Sequence, residues 1–244
     1  MSGTELNEFE IILASQSPRR REILGRTGLS FAVHPASDRE VTEETEPARI
    51  VEALAAHKAR EVYEKVSRER AEACALSEAS PLACGTPPRP LFVIGADTVV
   101  VIGGQILGKP ESPARAAEML RLLSGASHEV LTGVCLIAEK PAACERIFHE
   151  RTRVFFRTLS EEEIASYVAT GEPMDKAGAY GIQGRAGIFV DHIEGDYDNV
   201  VGFPLTRVLR EAEALLAPAA EEPVCERTAD CPEESPSVHD QEED

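Results

Sequence analysis

The sequence lacks any apolar stretch near the roughly 20 residues that would span a bilayer. Its opening, MSGTELNEFE, has neither the basic segment nor the apolar run of an export signal. A membrane-spanning or secreted protein is therefore not expected. Positive charge is also scarce: 25 Lys and Arg stand against 43 Asp and Glu, a formal charge of −18. Such a surface repels nucleic acid, because binding requires Lys and Arg to displace counterions from phosphates. The six cysteines (Cys74, Cys84, Cys135, Cys144, Cys225 and Cys231) form no CxxC pair, and no His lies at zinc-ligand spacing. They read as free thiols in a reducing cytoplasm rather than as a disulfide framework or a metal site. Internal repeats and heptad arrays are absent as well.

What is there is a 244-residue chain, 43% hydrophobic, enough for one large core or two small lobes. Residues 1–10 form an N-terminal extension, 11–216 the main domain with an insertion at 77–90, and 217–244 a tail. The tail carries ten acids against Arg227, half of the whole net charge. Rich in Pro, Ser and acid and poor in large apolar groups, it cannot offset its ordering entropy, and disorder is expected.

The main domain alternates strands with helices. A short apolar run, Ile11 to Ala14, leads into SQSPRR, where Ser17 can cap a helix and Pro18 can open it. From Pro47, apolar residues at spacings of three and four predict a helix to about Cys74, carrying Lys58. Leu91 to Ile94 and Val99 to Ile102 read as one buried strand interrupted by the polar GADT. A hairpin turn at Gly103-Gly104 follows, then a helix from Ser112-Pro113 to Leu123, and paired strands at 130–138 and 146–157. Ser160 with Glu163 predicts a capping box, 188–193 a strand, and 204–216 a last helix. The pattern is α/β with a mixed sheet.

Chemistry can sit at several points. Ser15, Arg19 and Arg20 lie in the turn into the first helix, where unpaired N–H groups and fork-shaped guanidinium donors favour phosphate oxygens. Asp97, flanked by Gly95 and Ala96, is placed either to hold Mg²⁺, to take a proton from water, or to cap a turn. Lys109 is either a solvated edge charge or a partner for phosphate. Asp38 and Glu40 are loop acids, and Lys58 a helix cation. In DKAGAYGIQG (Asp175 to Gly184), Gln183 offers one donor and one acceptor, matching O4 and N3–H of thymine or uracil, or serves the loop itself. Asp196, Asp198 and Asn199 favour a turn over a ligand contact.

Taken together, LASQSPRR, GADTVV, LGKP, LSG with His128, DKAGAYGIQG and GDYDNVVGFPL resemble the Maf family, over about Ile11 to Leu216. That resemblance implies a mixed, twisted sheet with two lobes around a deep cleft, similar to inosine triphosphatases, and commonly a homodimer. It implies a nucleoside triphosphate pyrophosphatase that releases a monophosphate and pyrophosphate. It also implies Asp97 as proton acceptor, with Arg20, Glu40, Lys58 and Lys109 lining the cleft, and a divalent cation (Mg²⁺, Mn²⁺ or Co²⁺) on Asp97 and Glu40. Arg19, Thr98 and Gln183 match the dTTP/UTP branch, where the 7-methyl-GTP branch carries Trp, Gln and Glu. Arg39 departs from the consecutive acids more usual there, so coordination that relied on a neighbouring acid pair would be weaker. Maf-like proteins are also linked to arrest of septum formation, so a nucleotide-binding regulator is the reading from another class.

Overall fold

A strand buried on both faces needs apolar residues at nearly every position, and the segment around GADT supplies them everywhere except at Gly95, Asp97 and Thr98. In the computed structural model, which describes residues 6–37, 42–78, 89–140 and 143–217, this segment is one continuous strand, β3 (Leu91–Ile102), once β1 (Glu10–Ala14) and β2 (Phe31–Val33) have been laid down. The expected interruption at GADT is corrected. The ladder to β5 (Ser127–Ala138) runs through it from Phe92↔Ala138 to Val101↔Glu129, because backbone groups pair whatever the side chains do. Asp97 and Thr98 simply leave the strand on opposite faces.

The sheet runs β2-β1-β3-β5-β6-β7, with β4 (Gln105–Leu107) on the far end of β3, β6 at Cys144–Phe156 and β7 at Val190–Glu194. β1 is parallel to β2 and β3, and all other pairs are antiparallel. It is a mixed sheet flanked by helices. β1 leaves β3 after Ala14↔Gly95, and β4 joins it only at Val100↔Leu107. Between those points, among the described residues, β3 has no strand on that edge. Gly103 and Gly104, both at positive φ (55° and 79°), make the tight hairpin that brings β4 back.

Helices close both faces. α1 (Pro18–Gly25) begins with Pro18 and is capped by Ser17, as its sequence predicts. α2 (Pro47–Glu78) runs four residues past Cys74. α3 (Pro113–Leu123) is capped by Ser112, and α4 (Glu161–Val168) carries the full capping box. α5 (Tyr197–Val201) forms where a turn was expected, with Asp196 capping it, and α6 (Leu205–Leu216) ends the described chain's helices. Residues 185–189 form a 3-10 turn, so β7 starts two residues later than predicted. The β2 strand has no signal in its three residues and exists through pairing to β1. Most of the 77–90 insertion, the tail from 218 and the first five residues lie outside the described residues.

On each face the core divides at the level of Asp97 and Thr98. Beneath α2, Leu91 and Val93 pack in one cluster and Val99 and Val101 in another. On the opposite face, Phe92, Ile94 and Ala96 pack with α1 and α6, whereas Val100 packs with α3 and α4. Two lobes result, joined by β3 and β5 and by α2. No helix among the described residues is long and apolar enough to cross a membrane.

Two glycines set how close α2 lies. A Cβ at Gly95 would overlap Ala55 O, and one at Gly133 would overlap Val51 O. Helix backbone cannot rotate away as a side chain can. Gly133→Ala should therefore lower stability by about 1–3 kcal/mol, read as a lower urea midpoint. An unchanged midpoint would show that α2 has slack.

Candidate active site

The uncovered edge of β3 opens into a cleft of about 650 Å³. Ser15, Arg19, Arg20, Lys58, Asp97, Thr98, Lys109 and Gln183 all line it, so eight residues singled out in five separate stretches of sequence meet in one place. Asp38, Arg39 and Glu40 lie outside the described residues. Of the described residues lining the cleft, Arg19, Arg20, Lys58, Lys109 and Lys176 are cationic and only Asp97 and Asp175 acidic. A positive cleft in a chain of charge −18 focuses polyanions into it.

On the α2 side, strand alternation aims Asp97 at the helix, where Lys58 meets it with Nζ 2.7 Å from Oδ1. Both side chains are nearly buried, 12% and 11% exposed. The Gly95 and Gly133 contacts make this reach short. The smallness of Gly95 admits α2. Asp97 Oδ2 has no hydrogen-bond donor among the described residues.

On the other side, Arg20 fastens three segments together. Its Nε donates to Gly202 O (2.8 Å), one terminal nitrogen to Ala96 O (2.8 Å) and Ser15 Oγ (3.1 Å), and the other to Thr98 Oγ1 (2.9 Å). Thr98 Oγ1 lies 3.0 Å from Thr132 Oγ1, which donates to Asn199 O (3.2 Å). Asn199, wholly buried, gives Nδ2 to Val130 O and Thr152 Oγ1. α5, which stands where a turn was expected, is thus pinned from inside.

The DKAGAYGIQG segment forms the third wall. Arg19 bonds Asp175 (3.2 Å), whose other oxygen takes Lys176 Nζ (2.6 Å). Burial works against the Asp175 carboxylate, but Lys176 and Arg19 outweigh it and lower its pKa. Glu172 receives Tyr167 Oη and Arg185 N, and Tyr167 Oη receives Gly181 N. Gly178 sits at φ +69° against Val100, which explains one of the small residues. Lys109 and Gln183 make no hydrogen bond or ion pair among the described residues, so both project into the cleft uncommitted.

Sequence reasoning passed over Asp175, Lys176 and Thr132. Thr132 had a signal, a hydroxyl within the otherwise apolar run LTGVCLIA. Asp175 and Lys176 had only adjacency to Gln183.

No group of three or more His, Cys, Asp or Glu side chains placed to hold a metal ion occurs among the described residues. Asp97 offers one carboxylate oxygen beside a cationic cleft. That fits a hard cation such as Mg²⁺, which takes one or two carboxylates and completes its shell with phosphate oxygens and water.

The model of the family described as Maf-like protein matches residues 10–215. A protein named dTTP/UTP pyrophosphatase from Moorella thermoacetica is 49% identical over 209 residues, covering 85% of this chain and 94% of its own. Another of that name from Geobacillus sp. is 46% identical over 84% of this chain and 98% of its own. A solved nucleoside-triphosphatase / dITP/XTP pyrophosphatase from Mycobacterium abscessus covers 61% of this chain and 74% of its own at 14% identity, with a TM-score of 0.32, too slight a superposition to bear on the site.

Tyr180, whose neighbours form the Gln183 wall, meets His128 Nε2 at 2.8 Å inside the core. Burial pushes the His128 pKa down to about 4, from 6.5. The unfolded chain then binds a proton that the native state refuses, so stability falls as pH drops from about 6.5 to 4, by up to about 3 kcal/mol. Urea midpoints at pH 7, 5.5 and 4.5 should follow this slope in the parent, and His128→Gln should flatten it. Equal slopes would exclude His128 as the source.

Proposed function

The chain belongs to the Maf family, and from that premise we propose that it hydrolyses dTTP and UTP to the nucleoside monophosphate and pyrophosphate. The observation that carries this reading is the meeting of Arg20, Lys58, Asp97, Lys109 and Gln183 in one cationic cleft. The role is removal of pyrimidine triphosphates, canonical or modified, from the nucleotide pool.

The nucleotide straddles the uncovered edge of β3. Its phosphates lie toward Lys58, Asp97 and Lys109, and its base toward Thr98 and Gln183. Asp97 Oδ2 takes a proton from the water whose oxygen attacks the α-phosphorus. The bond from that phosphorus to the bridging oxygen breaks, and its electron pair departs with pyrophosphate. Lys58 fixes the orientation of the carboxylate. Lys109, Arg19 and Lys176 offset the charge growing on the leaving group, each an electrostatic contribution of a few kcal/mol when well placed. Arg20 adds positive charge while holding Ser15 and Thr98 in line. Asp97, with Glu40, is the proposed holder of a divalent cation, which when bound supplies charge neutralisation at the phosphates. Cytoplasmic location and a homodimer complete the reading; light scattering on the purified protein tests the latter.

A panel of nucleoside triphosphates with Mg²⁺, Mn²⁺ and Co²⁺, scoring pyrophosphate and monophosphate together, tests the activity. Asp97→Asn keeps the shape and removes the base, and turnover of dTTP should fall about 10²–10⁴-fold. Release of pyrophosphate at the parent rate would remove Asp97 from this role. Gln183→Glu replaces a donor with an acceptor and should lower kcat/KM for UTP by roughly 10–100-fold relative to 7-methyl-GTP. A ratio that stays put would place the base elsewhere.

A further inference from the structure

Gln183 alone cannot tell uracil from cytosine. Its amide makes no hydrogen bond within the described residues, so a half-turn about its last torsion exchanges donor and acceptor. One orientation suits O4 and N3–H of uracil; the other suits the amino group and bare N3 of cytosine. Discrimination between them needs a group whose polarity is fixed. Thr98 lines the same cleft and has one.

The polarity follows from counting hydrogens. Arg20 donates to Thr98 Oγ1. Thr132 is fully buried, and among the described residues its hydroxyl reaches only Thr98 Oγ1 and Asn199 O. If Thr132 donates to Asn199 O, Thr98 donates to Thr132, and three bonds form in a line: Arg20 to Thr98, Thr98 to Thr132, Thr132 to Asn199. Thr98 then offers the cleft a lone pair only. In the reverse arrangement Thr132 donates to Thr98, its bond to Asn199 O is lost, and two bonds remain. The carbonyl at the end of the line cannot follow either hydroxyl, because Asn199 is held by Val130 O, Thr152 Oγ1 and the Gly202 amide. One buried hydrogen bond therefore biases Thr98 toward accepting, a preference of about three- to tenfold.

We propose that Thr132 is a positioning residue that draws the Thr98 hydrogen away from the cleft, so that Thr98 accepts N3–H of uracil or thymine and opposes the bare N3 of cytosine. Gln183 is then left with the group at C4, where its amide N–H meets O4. This assignment rests on the pyrophosphatase reading above and refines it. It concerns selectivity between pyrimidines, which neither the cationic groups nor Asp97 can supply.

The test compares kcat/KM for UTP and CTP in the parent, Thr132→Val and Thr132→Ser. Valine keeps the branched shape but frees the Thr98 hydrogen to turn outward, so the UTP-to-CTP ratio should fall about three- to tenfold, mainly through faster CTP turnover. Serine keeps the relay and should keep the parent ratio. A folded Thr132→Val protein with the parent ratio overturns the proposal. Independently of any variant, the parent should turn over N3-methyl-UTP about tenfold or more below UTP; equal turnover also overturns it. A parent that releases pyrophosphate from neither dTTP nor UTP overturns the activity itself, whereas an unmoved ratio in an active enzyme overturns only the part given to Thr132.

Discussion

The buried pair of Lys58 and Asp97 depends on how near α2 lies to the sheet. Removing two charges from water is costly unless the partners meet closely, and here they meet at 2.7 Å because no side chain intervenes at Gly95 or Gly133. The same closeness packs the small residues Ala55, Ala56 and Ala59 against the strands. Helix seat and charged pair are one constraint: a larger residue at either glycine lifts the helix and lengthens the pair.

The polar level across β3 divides the core and also unites the molecule. Apolar clusters stop above and below it on both faces, yet Arg20 ties the β1–α1 turn to β3 and to the end of α5 through four hydrogen bonds. A site cut into the middle of a sheet gains rigidity from the uninterrupted ladder to β5 on the other edge. The DKAGAYGIQG wall is irregular, and there Glu172 and Tyr167 bind the loop to α4.

Much of this was legible in the chain. Ser17-Pro18, Ser112-Pro113 and Ser160 with Glu163 announce helix starts through local chemistry, and local chemistry is what a sequence displays. Glycine pairs give the hairpin for the same reason. β2 was not legible, since three residues carry no period and only β1 makes them a strand. GADT misled because a polar run resembles a break, although the ladder is indifferent to side chains. In the site, residues of conspicuous type were legible: Arg20, Asp97, Lys109 and Gln183. Thr132 showed only as a hydroxyl in an apolar run and Asn199 only as a turn residue, because the bond between them joins points 67 residues apart in the chain.

The cleft draws on segments from Ala14 to Gly202, and the carbonyl receiving Arg20 Nε belongs to Gly202, close to the end of the described chain. A ribosome must have released nearly the whole domain before the walls can lock. A nascent fragment that stops short of Gly202 therefore lacks the closed cleft, whose geometry exists only in the finished domain.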